Sequence, residues 1–144
     1  MQKTASILLV IGWLLAACSP PAPDIDVAST YDFGTIVKGD LAVADLPVRN
    51  LGRGPLTVQA VSTSCGCTTA SLTPMTIPPG GEARLHVEYD SGIHESDRGA
   101  IERSVFISSD DPDEEDVEIK FTVIVVVKPS RLGGRPNGAH AGPV

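Results

Sequence analysis

Glu82-Ala83-Arg84-Leu85-His86-Val87-Glu88-Tyr89 alternates polar and apolar residues without a break. Successive side chains of a strand point to opposite faces. The pattern therefore reads as a half-buried strand with Ala83, Leu85, Val87 and Tyr89 turned inward and His86 turned to solvent. Residues 117–127 repeat the period at greater length. Val117, Ile119, Phe121, Val123, Val125 and Val127 share one face, and Glu118, Lys120 and Thr122 begin the other. Ile124 and Val126 then make both faces apolar, so the end of this strand is expected to be covered on both sides.

Outward from these two strands the same signal recurs in shorter form. Further strands are expected over residues 25–29, 35–38, 41–49, 55–61, 68–72 and 103–108. Strong turn formers separate them. Asn50-Leu51-Gly52-Arg53-Gly54 offers residues that tolerate positive φ, and Pro78-Pro79-Gly80-Gly81 is an equally clear break. About seven short strands without an amphipathic helix predict an all-β, two-sheet sandwich over residues 24–128. Residues 129–144 are rich in Gly and Pro and read as a disordered tail.

The chain has 144 residues, enough for one modest core. Aromatic residues are 4%, so Val, Ile, Leu and Ala must fill that core. The net charge of -7 argues against a nucleic-acid partner, which needs a basic surface. No phosphate-binding Gly loop and no catalytic Ser motif is present, and the chain is read as a non-enzyme.

The first residues read as an address. Lys3 precedes a nearly continuous apolar run over residues 5–17. A membrane span takes about 20 such residues, whereas a signal-peptide core takes roughly 7–15. The run ends Leu15-Ala16-Ala17-Cys18, which resembles the lipobox of bacterial lipoproteins. That resemblance implies cleavage after residue 17 and a diacylglycerol on Cys18, hence membrane attachment through lipid. An ordinary signal peptide with an incidental Cys is the alternative. Ser19-Pro20-Pro21-Ala22-Pro23 then reads as an extended tether, so residues 18–23 form the anchor segment. Ser19, where Asp would signal inner-membrane retention, leans towards the outer membrane facing the periplasm in a Gram-negative cell.

Several phrases, in order, resemble one bacterial family. They are Tyr31-Asp32-Phe33-Gly34-Thr35-Ile36, Val48-Arg49-Asn50-Leu51-Gly52, Pro55-Leu56, Ser64-Cys65-Gly66-Cys67-Thr68, Ile77-Pro78-Pro79-Gly80 and Ser108-Ser109-Asp110-Asp111-Pro112. The family is that of domain of unknown function 1573. The resemblance spans residues 24–127 and implies a seven-stranded Ig-like sandwich, related to the Hydin and major-sperm-protein types.

With Cys18 assigned to lipid, Cys65 and Cys67 remain in an oxidising compartment where disulfides persist. Three readings stand. The pair forms a local disulfide whose ring bends at Gly66, which would be more readily reduced than a structural bond. Alternatively, two thiolates hold a soft metal such as Cu(I), while zinc lacks the four ligands it wants. Or the motif is a structural corner only. His86, His94 and His140 are the only imidazoles, and none stands at a ligand spacing from the motif. An intramolecular Cys65–Cys67 disulfide is expected, with no resident cofactor.

Two other clusters read as solvated. Asp110-Asp111-Pro112-Asp113-Glu114-Glu115-Asp116 lacks the register and Gly of a calcium loop and is expected to be a solvated connection. His94, with Glu95 and Asp97, is expected in a polar surface loop. The functional expectation is a non-enzymatic binding or scaffolding module for envelope proteins. The alternative is a thiol redox or Cu(I)-binding protein using Cys65 and Cys67.

Overall fold

The structure, a computed structural model, describes residues 20–129. The expected signal peptide, Cys18 and His140 lie outside them, as does the expected tail beyond residue 129. Every regular element among the described residues is a strand. The order is β1 (Ile25–Asp26), β2 (Thr30–Val37), β3 (Leu41–Asn50), β4 (Leu56–Thr63), β5 (Thr68–Thr73), β6 (Thr76–Ile77), β7 (Glu82–Asp90), β8 (Gly99–Ser109) and β9 (Asp116–Val126). They form two sheets, β1-β3-β7-β5 and β2-β9-β8-β4-β6. The Ig-like sandwich is therefore present. It exceeds seven strands because β1 and β6, two residues each, cap sheet edges.

Alternation fills the space between the sheets. Ala83, Leu85, Val87 and Tyr89 of β7 face Ile119, Phe121, Val123 and Val125 of β9, and all are buried. Ala44, Leu46 and Val48 of β3 and Val105 and Ile107 of β8 complete the layer. The chain begins in one sheet with β1 and crosses into the other, where β2 runs parallel to β9.

β2 starts earlier than expected, at Thr30. Asp32 and Gly34, residue types depleted in strands, build a bulge here. Gly34 sits at φ 74 and donates its N–H to Asp32 Oδ1 at 2.8 Å, with a register shift between Asp32 and Thr35. The expected cover over the end of β9 is absent among the described residues. Ile124 is 48% exposed and Val126 43%, because no element among the described residues stacks on the outer face of β9. Val127 lies past the strand and is exposed.

The sandwich has two ends. One carries the loops at residues 38–40, 64–67 and 91–98. The other carries 51–55, 78–81 and 110–115 together with the N-terminal approach at 20–24. Strands such as β3, ten residues long, hold the ends about 30 Å apart.

At the second end, Asn50 is fully buried. Its side chain donates to Gly54 O and Ile77 O and accepts from Gly52 N and Asp24 N. Gly52 and Gly54 are not needed for positive φ, as their turn composition suggested. They are needed for close approach: a Cβ on Gly52 would fall 2.5 Å from Ala22 O, and one on Gly54 would strike Pro21 O. Arg53 N and Gly54 N donate to Ala22 O, so Pro21–Pro23 lies bound along this loop. The free length of the expected tether shortens accordingly.

The acidic connection also departs from expectation. Asp111 is buried, and its carboxylate accepts from Ile25 N at 2.7 Å, Asp113 N at 2.9 Å and Glu114 N at 3.2 Å. Burial pushes its pKa up, but these three backbone donors more than offset that and hold it below the ordinary 3.8. Asp111 fastens β1 to the connection between β8 and β9.

Candidate functional site

The chemically distinctive residues gather at the first end, where β4 turns into β5. Cys65 and Cys67 are joined, with sulfurs 1.98 Å apart and Cα atoms 5.3 Å apart. The short loop is held locally: Thr63 Oγ1 donates to a backbone carbonyl, with Cys65 O and Thr68 O both 3.0 Å away. Asp90 N donates to Cys67 O, fixing the loop to the end of β7. The chain turns at Gly66, as expected, which brings the two Cα atoms to 5.3 Å; the turn uses no left-handed φ, and a Cβ there would meet nothing within 4 Å.

The two sulfurs differ in environment. Cys67 is 2% exposed and packs with Ala42, Tyr89, Val123 and Val125. Cys65 is half-buried at the rim. Thr68 Oγ1 lies 3.5 Å from Cys65 Sγ and 3.9 Å from Cys67 Sγ.

Beneath Cys67 stands a charged group that the sequence reading did not single out. Arg103 Nε donates to Cys67 Sγ at 3.3 Å. Its Nη1 donates to Glu102 O, and its Nη2 reaches both oxygens of Asp97 at 3.0 Å. Asp97 is buried and also accepts from Tyr89 Oη at 2.8 Å. The expected polar surface loop thus sends one carboxylate inward. Burial, then the hydrogen bond to Asp97, pushes the Tyr89 hydroxyl up to about 12. A cavity of about 10 Å³ beside Tyr89 and Arg103 has room for about one water.

A signal for this cluster was available. Ile101, Arg103, Val105 and Ile107 fall on one parity of β8, so Arg103 occupies an inward position between apolar residues. An inward charge requires a partner.

The histidines separate. His86 points outward from β7, with Nδ1 2.7 Å from Asp45 Oδ1. His94 is exposed, as expected, yet its imidazole and the two sulfurs all lie within 4.8 Å of one another. No imidazole stands at a ligand spacing from the motif in the sequence, and it is the fold that brings His94 to it. Sequence spacing could not reveal this, because the 91–98 loop folds over 64–67. Lys38 Nζ donates to Ser91 O and His94 O, holding that loop down. After reduction, two thiolates and an imidazole would form a ligand set suited to a soft metal ion.

The second feature is a backbone edge. β1 pairs with β3 only at Arg49 and Asn50. From Leu41 to Val48, β3 pairs with β7 on one side and with no strand on the other among the described residues. Leu41 and Val43, both about half exposed, face outward beside this edge.

A family model described as Protein of unknown function (DUF1573) matches residues 26–125. Among solved structures, the chain is similar to a protein of unknown function from Porphyromonas gingivalis W83. That match has 25% identity and a TM-score of 0.66, covering 71% of this chain and 46% of that one. The chain thus spans about half the length of that protein. A PapD-like domain of human CEP192 matches at 11% identity and TM-score 0.57, over 90% of this chain and all of that one. The YadV chaperone matches at 19% identity and TM-score 0.52, over 78% and 55%. The last two likenesses establish the fold alone. No curated protein matches the sequence.

Proposed function

The chain belongs to the DUF1573 family, and from its fold we propose that it is a non-enzymatic binding module of the bacterial envelope that receives an extended segment of a partner protein along β3. The observation that carries this is the open edge of β3 from Leu41 to Val48. An unpaired edge offers a row of backbone donors and acceptors to an added strand, interrupted here at Pro47, which has no N–H, and alternate side chains beside it supply specificity. Leu41 and Val43 are the outward apolar residues at that edge.

In this reading, export and lipid on Cys18 place the module at the membrane, by the Leu15-Ala16-Ala17-Cys18 motif. Pro21–Pro23 is bound at the 51–55 end, so that end faces the bilayer. The opposite end, with Cys65 and Cys67, then points away from it.

The test is a pull-down from envelope extract with the wild type, Val43→Lys and Phe106→Lys. A lysine at an edge disfavours strand addition. The Val43→Lys protein loses its captured partner, whereas Phe106→Lys, on the other sheet, retains it. Equal capture by both variants would remove the edge from the account.

A second reading, thiol redox or Cu(I) chemistry at Cys65 and Cys67, is supported by the convergence of His94 and Arg103 on the two sulfurs.

A further inference from the structure

We propose that the Cys65–Cys67 disulfide is exchangeable and polarised: an incoming thiolate attacks Cys65, and Cys67 leaves as a thiolate received by Arg103. This rests on the second reading above and is independent of docking at β3. Access decides the first half. Cys65 is half-buried at the rim, whereas Cys67 is 2% exposed beneath it. Thiol–disulfide exchange requires the attacking sulfur to reach its target, so the rim sulfur is the reachable one.

The donor inventory decides the second half. A guanidinium has five N–H donors in a fixed fork. Here Nη2 is committed to Asp97 and Nη1 to Glu102 O, which leaves Nε–H directed at Cys67 Sγ. Asp97 is held in turn by Tyr89, so the fork cannot swing away easily. A disulfide sulfur is a weak acceptor and has little use for a charged donor. A departing thiolate is a strong one, and a neighbouring arginine lowers thiolate basicity. Thr68 Oγ1 lies 3.5 Å from Cys65 Sγ and 3.9 Å from Cys67 Sγ, so it serves either sulfur and the polarity rests on Arg103 and on access.

The step balances with a dithiol as co-reactant. Its thiolate forms a bond to Cys65 Sγ while the Cys65–Cys67 bond breaks, its electron pair going to Cys67 Sγ. The second thiol of the dithiol then attacks its own mixed-disulfide sulfur and releases Cys65. The dithiol is oxidised to a disulfide, and the protein gains two electrons and two protons. Because the anchor is tied at the opposite end of the sandwich, a dithiol protein approaching from the aqueous side meets Cys65 first.

The experiment treats the folded, full-length oxidised chain with glutathione, quenches with acid, alkylates, and locates the glutathione by fragment mass spectrometry. The expected product carries glutathione on Cys65 and a free thiol on Cys67. Arg103→Met slows reduction by dithiothreitol by roughly tenfold, and Arg103→Lys recovers part of the rate. Glutathione found chiefly on Cys67, or spread evenly, would overturn the polarity while leaving the redox reading intact. A folded protein that resists dithiothreitol altogether would overturn both. An Arg103→Met protein exchanging at the wild-type rate would overturn the role of Arg103.

Discussion

Replacing Asp97 by Ala isolates the charge that supports the disulfide corner. The side chain is 7% exposed and is the shared partner of Arg103 and Tyr89. Removing one member of a buried ion pair costs about 3–5 kcal/mol, because the other charge is left uncompensated. Arg103 keeps 23% of its side-chain exposure, so water recovers part of this, and about 2–3 kcal/mol is expected. For a domain near 100 residues that is a fall in Tm of roughly 10–20 °C. The assay is thermal denaturation under non-reducing conditions, with Asp97→Leu/Arg103→Met beside it. Removing both charges leaves no orphan, so the double variant recovers most of the loss. Tyr89 gives an independent readout. Without Asp97 its ionisation moves down from about 12 towards 10, visible in the ultraviolet titration of tyrosinate. Because the folded pKa is raised, wild-type stability from this group is complete below pH 10 and falls as pH climbs towards 12. An Asp97→Ala protein melting within about 3 °C of the wild type, with Tyr89 unmoved, would refute the reasoning.

Asp111→Asn weakens the tie between β1 and the β8–β9 connection and costs about 1–3 kcal/mol in urea denaturation. The folded pKa of Asp111 is lowered, so its contribution is present above the unfolded value near 3.8 and is lost as pH falls through the folded value. The variant therefore loses less stability on acidification over that range. Gly52→Ala drives a Cβ into the backbone of Ala22 and Pro23 and destabilises by about 1–3 kcal/mol, whereas Gly66→Ala stays within about 1 kcal/mol of wild type. Denaturation midpoints measure both. Unreduced protein leaves Cu(I) with a competing chelator, because a disulfide has no thiolate to offer; withdrawal of copper by the unreduced chain would contradict the bonded pair.

Period-two alternation located β7 and β9, because one side of each is core and the other solvent. The same rule failed at the end of β9. Ile124 and Val126 resemble a strand covered on both faces, yet the sheet leaves them exposed. Asp32 and Gly34 concealed the start of β2, since a bulge uses the residues that usually end a strand. At the candidate site, Cys65 and Cys67 announce themselves by spacing. Arg103 was legible only as a charge on an inward parity, and Asp97 only as its necessary partner. The approach of His94 to the sulfurs was not legible, because it depends on how the 91–98 loop closes over 64–67. Asp111 hid within an acidic run whose composition looks solvated, although one carboxylate there binds three backbone donors.

Docking of a partner along β3 is tested most directly by placing a photo-crosslinking residue at Val43, and separately at Lys120 on the other sheet, in the intact envelope. Val43 lies beside the open edge, and Lys120 projects from the outer face of β9, which has a neighbouring strand on each side. Strand addition at β3 gives one dominant adduct from position 43, mapping to a short extended segment of a single partner, and little from position 120. Adducts equally abundant from both positions, or none from position 43, would contradict it.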